Sequence, residues 1–213
     1  MDGSLVAKHN SWDIDAVAAR EAEIIGRPQR VEPLAEEDLS GELIALMRSV
    51  GASIGETGER QNTEYFRTML KNPELLRLQL EMGKTLFTGR LPARSRELAV
   101  LRVAWLLQAP YEWGEHVHIA KRYGVTCEEI ERVVEGSGAG GWSAADAAVL
   151  RGVEELLTRQ AISDETWAAL GKTWDEAQLI EFPMMVGQYV STALVQNALR
   201  MRLTEENPGL KHR

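Results

Sequence analysis

The residues able to do chemistry concentrate in two neighbouring stretches. In YEWGEHVHIAK, residues 111–121, Glu112 and His116 stand four apart and His118 follows two later. Just upstream, RSRELAVLRVAWLLQ, residues 94–108, carries Glu97 inside a run of apolar side chains. A carboxylate beside an imidazole can fix its tautomer or share its proton, which suits general acid–base catalysis near neutral pH. The same residue types at i, i+4 can also ligate one metal ion. A single pair of this kind can equally be a satisfied structural contact. Residue type alone leaves all three readings open.

Helical geometry, about 100° per residue, narrows them. Glu97 falls on the wheel between Leu101 and Ala104, with Leu98, Val100 and Trp105 close on either side. An ionised acid buried alone is costly, so Glu97 must be paired, protonated or turned to a cavity. On the next helix Glu112, His116, Ile119, Ala120 and Tyr123 share one side, while Gly114, His118, Lys121 and Arg122 share the other. Glu112 and His116 are therefore expected inside, and His118 in solvent. Two consecutive helices that each bury a titratable group favour a functional site. With no H-E-x-x-H and no second inward histidine, no metal is expected. Cys127 is the single cysteine, which rules out an internal disulfide and a Cys-x-x-Cys centre. Its place near a helix N-terminus would activate it, but no histidine partner is evident.

The elements that must hold these groups read as helix after helix, with no strand-like alternation bounded by turns. The pattern predicts helices over 13–25 and 41–50, then a loop of small residues over 51–59. Asn72-Pro73-Glu74 supplies an N-cap, a proline at the first helical position and an early acid, opening a helix over Pro73–Phe87. A further helix over 92–108 turns at Ala109-Pro110 into the helix of the Glu–His pair, which Gly124 closes. Thr126 and Glu129 have capping-box spacing for the next one. GSGAGG, residues 136–141, matches a dinucleotide fingerprint only formally, since no strand precedes it, and reads as a linker. Ser143, Ser163 and the stretch 173–176 start the last three helices, and the final one is expected to bend at Pro183. The class is all-α.

Bulk properties exclude several functions. A formal charge of −8 leaves no basic stripe for phosphates, so nucleic acid is not the expected partner. MDGSLVAKHNSWDID lacks the basic and apolar blocks of a secretory signal, and no apolar run is long enough to span a bilayer. A cytoplasmic protein that handles a small molecule is the expectation.

Residues 91–133, LPARSRELAVLRVAWLLQAPYEWGEHVHIAKRYGVTCEEIERV, resemble the carboxymuconolactone decarboxylase family, which includes the AhpD-like alkylhydroperoxidases. The likeness extends to KNPELLRLQLEMGKTLF, to WSAADAAVLRGVEELLTRQAISDETWAAL and to GQYVSTALVQNAL of the last helix. It implies an AhpD-like helical domain over 39–205, leaving an extension over 1–38 and a tail over 206–213 expected to fray. It also implies a homo-oligomer, trimer or hexamer. The family's peroxidase branch carries a glutamate, Cys-x-x-Cys and a histidine. Laid on this chain, the glutamate and histidine fall on Glu97 and His116, and the cysteines on Ala109 and Glu112. Without either thiol, a peroxide-reducing protein is the disfavoured alternative. The resemblance then implies a cofactor-independent lyase of decarboxylase type, acting on a small carboxylated lactone or aromatic-derived substrate. In that reading His116 is general acid/base, Glu112 its partner and Glu97 a proton relay. Trp113, Trp105 and Tyr123 are expected to wall the substrate, and Arg96 or Arg102 to anchor its carboxylate. A helical oligomer that binds a small ligand without turnover is the remaining alternative.

Overall fold

The computed structural model describes residues 14–42, 44–45 and 64–213. The helix expected over 41–50 lies mostly, and the loop over 51–59 wholly, outside the described residues. Those residues form α1 (Ile14–Ile24), α2 (Glu64–Met69), α3 (Pro73–Phe87), α4 (Ala93–Leu106), α5 (Pro110–Arg122), α6 (Cys127–Glu135), α7 (Ala144–Arg159), α8 (Asp164–Leu170) and α9 (Glu176–Leu199). Short 3₁₀ turns stand at Glu36–Asp38 and Gly209–Lys211. The class is all-α, and no described helix is long and apolar enough to cross a membrane.

Local chemistry sets the helix starts. The side chains of Asn72, Ser143 and Ser163 each accept a backbone N–H of the first turn. Thr126 with Glu129, and Asp175 with Gln178, form complete capping boxes. Each such cap is worth about 1 kcal/mol. Pro183 sits inside α9, which runs on as one helix to Leu199.

α4 is the axis of the molecule, and every residue from Arg96 to Leu106 is buried. One side, with Ala99, Val100 and Val103, packs on α7 and on Phe182, Met185 and Val186 of α9. The other, with Leu98, Leu101 and Trp105, packs on Trp113 and Val117 of α5 and on Ile130 of α6. A helix enclosed on all sides must pair its own charges. Arg102 does so by binding Glu154 and donating to the carbonyls of Val133 and Val134 in the last turn of α6. It thereby satisfies orphan acceptors at a negative helix end.

The tail does not fray. Asn207 and Leu210 are buried, the Leu210 amide donates to Glu21, and Trp113 Nε1 donates to the His212 carbonyl. The tail lies across α5 at Gly114, where an added Cβ would stand 1.6 Å from Asn207 Oδ1. The part of α5 at Gly114 and His118, expected in solvent, is therefore covered because the chain returns over it, whereas Lys121 and Arg122 are exposed as expected.

Candidate active site

α4 and α5 bring the acid and imidazole groups together through a tight turn. Gln108 takes a left-handed conformation with φ 52°, and Pro110 starts α5 at once. Asn197 of α9 donates to the Leu107 carbonyl at 3.1 Å, capping the end of α4 and fixing α9 against the turn. His116 then lies between two carboxylates. Its Nδ1 is 2.8 Å from Glu97 Oε2, and its Nε2 is 3.3 Å from Glu112 Oε1. The outer atoms are also held. Arg96 Nε donates to Glu97 Oε1 at 2.8 Å, and Gln196 Nε2 donates to Glu112 Oε2 at 2.6 Å. A line of alternating charge thus runs Arg96, Glu97, His116, Glu112, ending on the Gln196 amide.

Burial opposes the imidazolium of His116, but the carboxylates of Glu97 and Glu112 outweigh it and push its pKa up to about 10. At neutral pH His116 is therefore a held cation, with a proton on each nitrogen. The Tyr189 ring stands edge-on to it, with centroids 5.0 Å apart. Burial and the same two carboxylates raise the Tyr189 phenol well above its usual pKa, so it stays a neutral hydroxyl.

Glu112, His116 and Tyr189 open on a cavity of about 520 Å³ between α2, α3, α5, α9 and the tail. Tyr65, Phe66, Leu80 and Tyr111 give its wall an apolar, aromatic face. Gln79, Gln188, Thr192 and Gln196 supply polar points, and Glu115, Thr204, Glu205 and Glu206 edge it on the tail side. A volume of this size suits a small organic molecule. Among the described residues no group of three or more His, Cys, Asp or Glu is placed to hold a metal ion.

The three residues expected to carry the chemistry are thus brought together, although Glu97 lies behind His116 and does not line the cavity. The expected substrate wall is not where the sequence placed it. Trp105 and Trp113 pack against each other, 5.0 Å between centroids, in the core on the far side of α4 and α5. Trp113 follows Glu112 by one residue, and that single step turns it away. Tyr123 ends α5 half exposed, against Phe87 and the Arg96 guanidinium. The two arginines are not anchors. Arg102 is spent on Glu154 and α6, and Arg96 on Glu97 and the Phe87 carbonyl. His118, expected in solvent, edges the cavity, with Nε2 3.0 Å from the Glu206 carbonyl and its ring beside His212.

The contribution of α9 was missed. Its signal was present: Gln188, Thr192 and Gln196 recur every four residues, a polar stripe along one side of the helix, with Tyr189 adjoining.

Residues 73–155 match the model of the carboxymuconolactone decarboxylase family. The match runs from the start of α3 into α7. No curated protein matches the chain in sequence. Among solved structures, a point variant of the debrominase Bmp8 in complex with 2,3,4-tribromopyrrole is similar at 19% identity and TM-score 0.69, over 84% of this chain and 94% of that one. The apo form of Bmp8 gives 18% identity and TM-score 0.68, over 84% and 95%. A protein of unknown function from Agrobacterium tumefaciens, whose description points to the antioxidant-defence protein AhpD, gives 13% identity and TM-score 0.60, over 64% and 94%. At these identities the likeness establishes the AhpD-like fold. In the carboxymuconolactone decarboxylase-like helices of this chain, Ala109 and Glu112 leave no dithiol beside His116.

Proposed function

We propose that the protein is a cofactor-independent enzyme of lyase type that acts by proton transfer on a small ring-sized molecule. The observation that carries this is His116, a cation held between Glu97 and Glu112 with its Nε2 edge on an aromatic cavity. A proton on Nε2 can pass to a substrate carbon or leaving group. The neutral imidazole left behind keeps its Nδ1 proton, oriented by Glu97. Glu112, also on the cavity wall, accepts a proton from the substrate or returns one to His116. Glu97 is a positioning residue, because it acts through His116. The match of residues 73–155 to the family model and the size of the cavity support the reading, as does the ring compound bound by the structurally similar debrominase. The specifically decarboxylating form of the proposal loses its anchor, since Arg96 and Arg102 are engaged elsewhere. The homo-oligomer implied by the family likeness belongs to the proposal too; exposed Leu75, Leu78, Ile180 and Met184 are apolar surface that association would cover.

Solvent-isotope exchange tests the chemistry before the natural substrate is known. The protein is incubated in D₂O with a panel of phenols, enolisable cyclic ketones and lactones, and deuterium at carbon is followed by mass spectrometry. The expected result is exchange into at least one member that falls about 10²–10⁴-fold in His116→Gln. Exchange that is indifferent to this substitution contradicts the assignment, and none from any member favours the ligand-binding reading.

A further inference from the structure

We infer that the cavity selects a small hydroxyaryl alkylamine, with its hydroxyl directed inward and its positive charge at the cavity mouth, and rejects a carboxylate. The inference deepens the proton-transfer reading and rests on it for the choice of cavity.

Charge is the first observation. Four glutamates, Glu112, Glu115, Glu205 and Glu206, line the cavity, and no lysine or arginine is among its described lining residues. Glu112 and the His116 cation offset each other within the charge line that Arg96 and Glu97 complete, so the uncompensated acids are Glu115, Glu205 and Glu206. Glu205 and Glu206 are exposed at the mouth, where a like-charged carboxylate would meet repulsion while still partly hydrated.

Hydrogen-bonding capacity is the second and independent observation. Gln196 lines the cavity, is 3% exposed, and commits its Nε2 to Glu112. Its Oε1 has no hydrogen-bond partner. Turning the amide over would set Oε1 against a carboxylate oxygen, so its orientation is fixed by chemistry. The vacant valence is therefore an acceptor, and it calls for a donor. A ring hydroxyl directed inward supplies that donor, while an ammonium at the other end of the ligand meets Glu205 and Glu206 at the mouth; a carboxylate brings acceptors only. The third element is the aromatic wall of Tyr65, Phe66, Tyr111 and Tyr189, which fits an aryl body and favours a cation near its ring faces.

Three ligands that share one ring and differ in charge decide the matter: tyramine, 4-ethylphenol and 3-(4-hydroxyphenyl)propionate. Their binding to the full chain is measured by calorimetry at low and raised salt. Tyramine is expected to bind at least about tenfold more tightly than the neutral phenol, with the propionate weakest. The advantage should shrink in raised salt and in the Glu205→Gln/Glu206→Gln double variant, whereas Gln196→Leu should weaken tyramine and 4-ethylphenol alike. Binding of the propionate as tight as that of tyramine, parity of amine and phenol, or no binding of any of the three overturns the inference. The series is repeated in His116→Gln, which lacks the proposed proton donor. Loss of exchange chemistry and loss of amine preference are then read separately.

Discussion

Glu97 shows most clearly how a residue's meaning depends on its neighbours. On the wheel it is a lone acid in an apolar stripe, and from that alone an apolar replacement should leave stability similar or higher. The structure reverses this expectation, because Glu97 serves two buried cations at once, Arg96 and His116, at 2.8 Å each. Glu97→Leu leaves Arg96 without its anion and His116 with Glu112 alone, and we expect it to destabilise the protein by about 3–5 kcal/mol. Glu97→Gln keeps the shape and one acceptor, should cost less, and should lower the His116 pKa by removing its closer negative charge. Chemical denaturation of the two variants beside wild type checks both statements. A leucine variant as stable as wild type would mean that the charge line carries no structural weight.

At the scale of elements, the tail and α5 are coupled through one glycine. Asn207 Nδ2 donates to the Tyr111 carbonyl and to Glu115, and Asn207 Oδ1 accepts from the Gly209 amide, all at 2.9 Å. A methyl group at position 114 would displace this side chain. Gly114→Ala should therefore release the tail at a cost of about 1–3 kcal/mol, with protease cutting the chain after Thr204 faster than in wild type. Unchanged stability and unchanged cleavage would contradict the clamp. The same element explains what the sequence could not disclose. Helix starts were legible because caps and prolines act over three or four residues, and the pairing of Glu112 with His116 was legible because it spans one turn. Trp105 and Trp113 were misplaced because a wheel separates inside from outside and cannot tell one interior from another, and α5 has both a core and a cavity to face. Gly114 and His118 were misread because their cover comes from Glu206, Asn207 and His212, about ninety residues away in sequence.

At the scale of the molecule, two cores share α4, and the charge line crosses that helix to reach the cavity. The whole arrangement stands on one claim, that the fold keeps His116 protonated. Unfolded, its imidazole titrates near about 6.5; folded, near about 10. Between those values the folded chain holds a proton that the unfolded chain has lost. This contribution to stability is therefore complete below about pH 6.5 and disappears as pH rises through about 10. The direct measurement is a titration of the His116 ring nitrogens by ¹⁵N NMR, assigned by comparison with His116→Gln. The account predicts both nitrogens protonated at pH 8, with the transition well above the ordinary histidine range. A transition near pH 6.5, leaving a neutral ring at pH 8, would contradict it.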